Sequence, residues 1–588
     1  MLNLYDTLKA RGIMEHSKEI SLLTFGGLGE IGMNLCAYKC KDEHGKNKYL
    51  VIDVGIGFDA TLPAQNKIIV PKIDFLEKHR QDIIAIVITH AHDDHYAAIP
   101  ILWHKLKVPI YLTPFPAELL MKKTDNPEIK AHINIVQQGI EVDLSPFKVR
   151  FINITHSVPE SSALSIEAYG QRIVHTGDWK LDPDPVVGQV TDEKSLIELG
   201  DKGVLALVCD STNILEYGGP AETRSEASIV KGLSKILAAE KGNRVFVTSF
   251  SSNLARMKTC FEVAKKYNRS LCIVGRSMMK VHEAAEAVSY WNPADHVLLD
   301  AEGANEPRGS ILYICTGSQG EIGSSIEKIA RDKHHCIRAE AGDVVIFSAR
   351  SITGNEKAIN AVSNNFAVKK VKTIFPDANH HIHVSGHPYK EDVARMYEMI
   401  RPELVIPVHG EAKHLLAHCD FARSKKLKTY YLESGVELAL LPTGAKKIGT
   451  FPCGKQLSEG TELLDVDGRA IQERHKLASG LAMVTIYHNS VKVDTLGLQD
   501  NPGPLEKDLE AFVYDTMADL LERGHEQPSG LLYHQVVSNM VKAVQGWFKD
   551  KQNRKPVIRI NIMKKLGTTR RRTNTEETSE DNRPIRPS

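Results

Sequence analysis

Four side chains that commonly bind metal ions lie within six residues, in the segment Thr-His-Ala-His-Asp-Asp-His at residues 89–95. The segment follows Ile-Ile-Ala-Ile-Val-Ile at residues 83–88, an apolar run typical of a buried strand. Imidazole nitrogens suit zinc and related ions, and a carboxylate oxygen lets a second ion bind beside the first. A solvated polar turn explains one or two such residues but not four. The spacing therefore predicts a metal centre built on His90, His92, Asp94 and His95.

Two metal sites need more ligands than this segment supplies, and three further strand ends offer them. Apolar runs lead into His156, into the segment that ends in Asp178, and into His409. Ligands at strand ends lie on a rigid frame, near the edge of a sheet where substrates bind. Each residue alone could be an ordinary polar residue at a strand end. Beside residues 89–95, together they indicate further ligands.

The order His-x-His-x-Asp-His, followed by His156 and Asp178, resembles the metallo-β-lactamase superfamily. Three further motifs narrow the resemblance to the β-CASP nucleases and, among these, to the bacterial ribonuclease J family. They are Val-Cys-Asp-Ser-Thr-Asn with Asp210, His-Val-Ser-Gly-His with His387, and Pro-Val-His-Gly-Glu with His409. The resemblance extends over about residues 19–560. It departs from the family at Tyr-Ala-Ala, residues 96–98, where relatives usually have a small glycine-containing step.

The resemblance implies two zinc ions per subunit, with Mn²⁺ or Mg²⁺ as alternatives. It assigns His90, His92 and His156 to one ion, Asp94, His95 and His409 to the other, and Asp178 to a bridging position. Two such ions can generate a hydroxide at neutral pH and stabilise a phosphodiester under in-line attack. Asp53, in Val-Ile-Asp-Val-Gly at residues 51–55, is predicted to orient a ligand histidine.

His387 is the predicted proton donor to the leaving oxygen, because a histidine can be protonated near pH 7. Asp210 would orient His387 and favour its charged form, and Asp94 acts in catalysis through its metal ion. The alternative for His387 is a simple hydrogen-bond donor in the substrate pocket.

Two small, donor-rich segments suit phosphate oxygens, and the resemblance places both in the substrate pocket. They are Ser251, Ser252 and Asn253, and His383, Val384, Ser385, Gly386 and His387. Ser385 and Gly386 are expected near a 5′-terminal phosphate. The polar strand-end loops at residues 316–320 and 348–350 could be plain turns, and Arg350 is the residue there with a candidate role in the RNA channel.

The glycine-rich segment at residues 27–32, Gly-Leu-Gly-Glu-Ile-Gly, has the G-x-G-x-x-G spacing of dinucleotide-binding proteins. That fingerprint requires a helix directly after the glycines. Residues 33–39 instead predict a strand, so we expect no nucleotide cofactor.

The composition indicates a globular protein of several domains. The chain has 588 residues, of which 42% are hydrophobic and 25% charged, and its nine cysteines show no C-x-x-C pair. No apolar run approaches the ~20 residues of a membrane span, and the N-terminus lacks an apolar signal core. We therefore expect a cytoplasmic protein with no membrane association. The net charge of +1 argues against nucleic-acid binding, although residues 551–588 hold eleven Lys or Arg and four Asp or Glu.

Alternating strands and helices predict an α/β protein. The resemblance specifies a metallo-β-lactamase αββα sandwich with an inserted β-CASP α/β domain and a small C-terminal α/β domain. The expected boundaries are an N-terminal extension at 1–18, the metallo-β-lactamase domain at 19–205 and 371–448, the β-CASP domain at 206–370, a linker at 449–464, the C-terminal domain at 465–565 and a basic disordered tail at 566–588.

These features lead to the hypothesis of a zinc-dependent ribonuclease that acts in mRNA decay and rRNA maturation. It would have endonuclease activity and 5′-to-3′ exonuclease activity with a preference for 5′-monophosphate RNA. The expected partners are RNA, further copies of the chain in a homodimer or homotetramer, and other RNA-decay factors. A DNA-directed β-CASP nuclease is the first alternative. A small-molecule metallohydrolase leaves the large insert unexplained, and a non-catalytic RNA-binding subunit is disfavoured because all seven ligand positions are filled.

Overall fold

The computed structural model describes residues 19–64, 67–352, 354–487, 490–525 and 533–563. Contacts divide the chain into two compact units. Among the described residues, the larger holds 19–60 and 67–466, and the smaller holds 467–563 together with 61–64. The predicted N-terminal extension at 1–18 and basic tail at 566–588 lie outside the described residues.

The described residues form the following strands in chain order: β1 (Ile20–Gly26), β2 (Leu35–Lys41), β3 (Asn47–Ile52), β4 (Gly57–Phe58), β5 (Ile68–Pro71), β6 (Ile83–Val87), β7 (Ile110–Leu112), β8 (Ile133–Ile135), β9 (Glu141–Leu144), β10 (Phe147–Asn153), β11 (Ser162–Ala168), β12 (Gln171–His175), β13 (Ala206–Asp210), β14 (Val245–Thr248), β15 (Ser270–Val274), β16 (Ile311–Cys315), β17 (Val344–Phe347), β18 (Lys372–Ile374), β19 (Leu404–Val408), β20 (Lys428–Thr429), β21 (Val436–Leu441), β22 (Gly444–Thr450), β23 (Lys455–Glu459), β24 (Glu462–Asp465), β25 (Leu481–Tyr487), β26 (Ser490–Leu496) and β27 (Val557–Met563).

The α-helices of the same residues are α1 (Asp74–Lys78), α2 (Asp93–Tyr96), α3 (Ile99–Leu106), α4 (Pro114–Lys123), α5 (Pro127–Ala131), α6 (Glu193–Asp201), α7 (Ala221–Arg224), α8 (Ile229–Ala239), α9 (Leu254–Lys266), α10 (Arg276–Ala287), α11 (Asp300–Ala304), α12 (Ser325–Ala330), α13 (Glu356–Val368), α14 (Lys390–Ile400), α15 (Ala412–Ser424), α16 (Arg469–Leu477), α17 (Gly503–His525) and α18 (Tyr533–Gln552). Short 3₁₀ turns lie at Arg80–Asp82, Glu226–Ser228 and Arg308–Ser310.

The larger unit contains two mixed sheets that share one apolar core. One sheet has the order β22-β21-β1-β2-β3-β6-β7-β8, and the other β20-β19-β13-β12-β11-β10-β9. Leu22 and Leu50 of the first sheet and Phe151 and Val208 of the second belong to the core between them. Helices α1, α3 and α4 cover the outer face of the first sheet, and α6, α14 and α15 cover that of the second. The predicted αββα sandwich is confirmed.

The central strands of the sandwich, such as β1, β6, β13 and β19, are buried on both faces, which explains their near-continuous apolar sequences. In β1, Leu22 packs into the core between the sheets, whereas the adjacent Leu23 packs under the outer helices. The ligand-bearing loops follow such strands, so their backbones start from fixed positions.

The insert forms a third, all-parallel sheet with the order β15-β16-β14-β17-β18. Helices α8, α9 and α10 pack on one face, and α12 and α13 on the other. This sheet confirms the predicted α/β character of the insert. Its last strand, at residues 372–374, pairs with β17, although the expected boundary of the insert was residue 370.

The linker predicted at residues 449–464 is not a linker. Strands β23 and β24 form a hairpin in which β23 pairs with β5, giving a four-stranded sheet of order β24-β23-β5-β4. Lys72 lies 2.8 Å from Asp465 and ties the hairpin to the end of β5. The prediction failed because β23 pairs with β5, a strand hundreds of residues earlier in the chain, and the local sequence does not indicate that pairing.

The smaller unit contains the sheet β26-β25-β27, in which β25 pairs antiparallel with β26 and parallel with β27. Ala482 and Val484 of β25 pack with Leu509 of α17 and Val544 of α18. A small α/β unit was predicted here. Among the helices of the described residues, none combines the length and apolar character needed to cross a bilayer.

Candidate metal centre

Three imidazoles converge beyond the ends of β6 and β10. Nδ1 of His92 lies 3.1 Å from Nε2 of His90 and 3.0 Å from Nε2 of His156. Burial lowers the pKa of His92 to about 4, and burial also holds the pKa of His90 and of His156 well below the usual value. All three rings are therefore neutral at pH 7. A neutral imidazole has one nitrogen with a free lone pair, which can bind a cation.

A second group adjoins the first through a shared carboxylate, that of Asp178. Its members are Asp94, His95, Asp178 and His409, whose ligand atoms all lie within 4.8 Å of one another. Asp178 also lies within that distance of the three imidazoles of the first group. Burial alone would lower the pKa of His409, but Asp178, Asp210 and Asp94 raise it to about 10. The carboxylates make this second group attractive to a further cation.

Each of the five imidazoles is held by one nitrogen and presents the other to the centre. The outer partners are Thr89 Oγ1 for His90 (2.9 Å), Ser157 Oγ for His92 (3.1 Å), Asp53 Oδ2 for His95 (2.7 Å), the Gly386 carbonyl for His156 (2.5 Å) and Thr212 Oγ1 for His409 (3.0 Å). Metal-ligating histidines are usually oriented in this way. Among the described residues, nothing donates a hydrogen bond to the buried Oδ1 of Asp178. The donor set fits divalent metal ions.

Asp53 occupies the position predicted for an orienting carboxylate. It follows β3 and has a φ of 58°, in the left-handed region. One carboxylate oxygen accepts from the backbone of Thr89 at 2.8 Å, and the other from the Thr89 hydroxyl at 2.9 Å as well as contacting His95. Asp53 thus contacts Thr89 and His95, the first and last residues of the segment at 89–95, and holds both in position.

His387 lies beside the two ligand groups, with its side chain 23% exposed. Its Nδ1 is 2.8 Å from Oδ2 of Asp210 and 3.8 Å from Oδ2 of Asp178. The other Asp210 oxygen accepts from the backbone and hydroxyl of Thr212 at 2.8 and 2.7 Å. Burial alone would lower the pKa of His387, but the carboxylates of Asp210 and Asp178 raise it. The pair is suited to hold a proton next to the metal centre.

The predicted pocket residues differ in what their side chains can reach. Ser385 Oγ accepts from Asn213 Nδ2 at 2.7 Å, and Ser251 and Ser252 are partly exposed. The Val384 side chain is buried in the apolar core, so only its backbone can face a ligand. Asn253 is also buried, and its Oδ1 caps α9 by accepting from the backbone of Arg256 at 2.8 Å.

His383 is partly buried, and burial together with neighbouring cations lowers its pKa to about 3. The permanently charged neighbours are Arg256, Lys180 and Arg350, in decreasing order of influence. His383 therefore enters the predicted pocket as a neutral ring.

Several contacting residues were missed in the sequence. Asn34 Nδ2 lies 2.9 Å from Nε2 of His95 and 3.2 Å from Oδ2 of Asp94. Thr212 and Asn213 were visible as part of the Asp210 motif but were given no role. Asn34 belongs to no recognised motif in the sequence. It contacts the candidate ligands only because the glycine-rich segment before it folds against them.

The glycine-rich segment at residues 27–32 packs against the metal loops. Its Gly27 carbonyl accepts from the backbone of His409 at 2.9 Å, and the Gly29 N–H donates to the Gly410 carbonyl at 3.0 Å. A Cβ at Gly32 would lie 3.6 Å from Cβ of Asp94. The strand predicted after these glycines is β2, which confirms that no helix begins there.

Gly386 offers a test of how tightly the ligands are positioned. A Cβ at this residue would lie 2.8 Å from Cε1 of His156. We expect Gly386→Ala to displace that imidazole and to lower metal affinity and RNA cleavage by about 10- to 100-fold. Metal content and cleavage rate measure the effect. Gly242→Ala is the control, since no atom lies within 4 Å of its added Cβ, and equal behaviour of the two variants would contradict the prediction.

Family comparisons agree with this architecture. "Metallo-beta-lactamase superfamily" matches residues 43–201, "Ribonuclease J, beta-CASP domain" matches 242–366, and "Zn-dependent metallo-hydrolase RNA specificity domain" matches 377–432. The fold and the site define a metal-dependent hydrolase of the metallo-β-lactamase superfamily with an inserted β-CASP domain.

The chain is also similar to curated proteins over nearly its whole length. Ribonuclease J of Sinorhizobium meliloti is 36% identical over 570 residues, covering 95% of this chain and 99% of that protein. Ribonuclease J of Thermus thermophilus is 30% identical, covering 79% and 82%. This protein belongs to the ribonuclease J family.

A solved structure described as a protein of unknown function from Enterococcus faecalis V583 is similar in fold. It has a TM-score of 0.51 and 14% sequence identity, and the match covers 72% of this chain and 100% of that one. At that identity the likeness supports the fold alone.

Proposed function

We propose that this protein is a two-zinc ribonuclease that degrades RNA from the 5′ end, prefers a 5′-monophosphate and also cuts internally. Its setting would be cytoplasmic mRNA decay and rRNA maturation, as a homodimer or homotetramer with other decay factors. The observation that carries the proposal is the convergence of six candidate ligand side chains around Asp178, with the His387–Asp210 pair beside them. Membership of the ribonuclease J family supports RNA as the substrate.

Each of the two ligand groups would bind one ion. His90, His92 and His156 would hold one ion, and Asp94, His95 and His409 the other, with Asp178 shared. When bound, the ions supply a strong nucleophile at neutral pH and neutralise charge on the phosphodiester. The outer hydrogen bonds of the imidazoles keep the inward nitrogens aimed at the centre.

His387 would protonate or hydrogen-bond the leaving oxygen. Its Nδ1 is engaged by Asp210 at 2.8 Å, so Nε2 is the nitrogen left to donate to the substrate. The buried Asp210 carboxylate favours the charged imidazole and fixes the plane of the ring.

The 5′ end would bind at Ser385 and Gly386. Ser385 Oγ already accepts from Asn213 Nδ2 at 2.7 Å and from the backbone of His387 at 3.2 Å, which leaves its own proton to donate to a phosphate. Cations near this loop are compensated: Lys180 lies 2.8 Å from Asp182, and Arg256 lies 2.8 Å from Glu226. A small, nearly neutral pocket suits one phosphate better than three.

The direct test uses purified protein and RNA labelled at a 5′-monophosphate or 5′-triphosphate end. We expect faster release of labelled mononucleotide from the monophosphate RNA, no cleavage of a matched DNA, and loss of activity with a chelator. Equal rates on both 5′ ends, or label released first from the 3′ end, would overturn the proposed end preference. Cleavage that persists with a chelator would overturn the metal mechanism.

Ser385 separates the two modes of cleavage. Ser385→Leu should fill the pocket and weaken 5′ exonuclease activity more than internal cleavage, because an internal phosphate need not enter that pocket. Ser385→Ala removes the hydroxyl without adding bulk and distinguishes a lost hydrogen bond from a blocked pocket. Rates on a 5′-monophosphate RNA and on a circular RNA measure the two modes. Equal losses on both substrates in the leucine variant would contradict this assignment.

A further inference from the structure

Arg350 forms an ion pair with Glu216 that no step of the proposed mechanism uses. One guanidinium nitrogen of Arg350 lies 2.7 Å and 2.6 Å from the two carboxylate oxygens of Glu216. The side chains are 61% and 36% exposed, respectively. Arg350 follows β17 of the β-CASP sheet, whereas Glu216 follows β13 of the sandwich. The pair therefore spans two domains at an accessible surface.

The backbone that carries Arg350 is held in place by Gln319. The side-chain nitrogen Nε2 of Gln319 donates to the Arg350 carbonyl at 2.9 Å, and the side-chain oxygen Oε1 accepts from the backbone N–H of Ile352 at 2.8 Å. Gln319 belongs to the loop after β16, so two strand-end loops are locked together at the carboxyl edge of a parallel sheet. Ligands of open α/β sheets bind at this edge.

Glu216 connects Arg350 to the predicted 5′-phosphate pocket. The Glu216 N–H donates to the carbonyl of Asn213 at 2.9 Å, and the side chain of Asn213 donates to Ser385 Oγ. The Glu216 carbonyl also accepts from the backbone of Lys390, three residues after His387, at 3.5 Å. Arg350 thus stands at the rim of the pocket.

We propose that Arg350 binds a phosphodiester of the RNA at the rim of this pocket, and that the Glu216 carboxylate occupies the same guanidinium when RNA is absent. This inference rests on the proposed ribonuclease function. Carboxylate and phosphate oxygens both accept charge-assisted hydrogen bonds from a guanidinium. An exposed ion pair contributes little to stability, so exchanging the carboxylate for a phosphate has a small cost. Glu216 then acts as a built-in competitor that weakens RNA binding.

The test measures single-turnover cleavage of 5′-monophosphate RNA against concentration of the full-length metal-loaded protein, at several salt concentrations. The concentration that gives half the maximal rate reports RNA affinity. For Arg350→Ala we expect half the maximal rate to be reached at an about tenfold higher protein concentration, since a charge-assisted hydrogen bond to RNA is lost. The slope of the logarithm of RNA affinity against the logarithm of salt concentration should also become less steep by about 0.7. This is the value for one phosphate contact of single-stranded nucleic acid.

Glu216→Gln should have the opposite effect. Removing the competing charge frees Arg350, so half-saturation should occur at a lower protein concentration than in the wild type. The double variant should behave like Arg350→Ala, because Glu216 acts only through that guanidinium.

A second exposed pair provides matched controls. Arg395 and Glu193 lie 2.6 Å apart and are 58% and 36% exposed, on α14 and α6 of the sandwich. Arg395→Ala and Glu193→Gln should leave half-saturation unchanged.

Three outcomes would overturn the proposal: an Arg350→Ala variant that binds like the wild type, a Glu216→Gln variant that binds RNA more weakly, or an Arg395→Ala variant as impaired as Arg350→Ala. Failure of the ribonuclease function itself is a separate result, since the wild-type protein would then leave the RNA intact.

Discussion

Alanine at His92 or at Asp94 should reduce RNA cleavage to background while the protein stays folded. The two residues belong to different ligand groups, and each group needs all its members to complete a metal site. Both are only partly buried and follow β6 rather than lying within a strand, so their removal leaves the apolar core intact. Each variant should lose one bound ion per chain, measured by elemental analysis beside cleavage and circular dichroism.

Asp93 is the matched control for this experiment. It lies between the two ligands, but its side chain is exposed and pairs with Lys123 at 2.5 Å. Asp93→Ala should retain both ions and near-normal cleavage. Near-normal turnover in His92→Ala or Asp94→Ala would contradict a mechanism that needs two ions.

The convergence of the candidate ligand side chains could be predicted from sequence because they follow strand ends. Asp94 and His409 are 315 residues apart, yet their side chains lie 3.3 Å from each other. The parallel pairing of β13 with β19 places Asp210 opposite Val408, next to His409. A run of apolar residues locates the end of a strand, but only the resemblance to a family indicated which strand ends meet.

Other features depend on details that the sequence pattern does not contain. Val384 and Ser385 are adjacent in one motif, but one packs in the core and the other faces Asn213. Asn253 is predicted to bind substrate, and the structure adds that its side-chain oxygen caps a helix. Such outcomes depend on the backbone path of short loops, where no period of two or 3.6 residues indicates which side chain points inward.

The second ligand group and the predicted proton donor share a hydrogen-bonded network. Thr212 Oγ1 lies 2.7 Å from Asp210 Oδ1 and 3.0 Å from Nδ1 of His409, while the other Asp210 oxygen contacts His387. Residues linked in this way show non-additive effects when substituted. A substitution at Asp210 would therefore disturb both a ligand and the donor, and His387 is the better site for isolating proton transfer.

His387→Ala should lower the single-turnover cleavage rate by ~10²- to 10⁴-fold, the usual contribution of a positioned general acid. His387 lies with Asp178, Asp210 and His409 in a group that could itself bind metal, so the metal content of the variant must be measured. We expect both ions to be retained, because the seven ligand side chains assigned above exclude His387.

His387→Gln is the informative companion, since its amide can donate a hydrogen bond but cannot transfer a proton. If proton transfer is the role, the glutamine variant should be nearly as slow as alanine. Recovery of much of the rate in glutamine would instead show that a hydrogen bond suffices. A variant that lost RNA affinity but kept its maximal single-turnover rate would assign His387 to substrate binding and leave protonation of the leaving oxygen to another group.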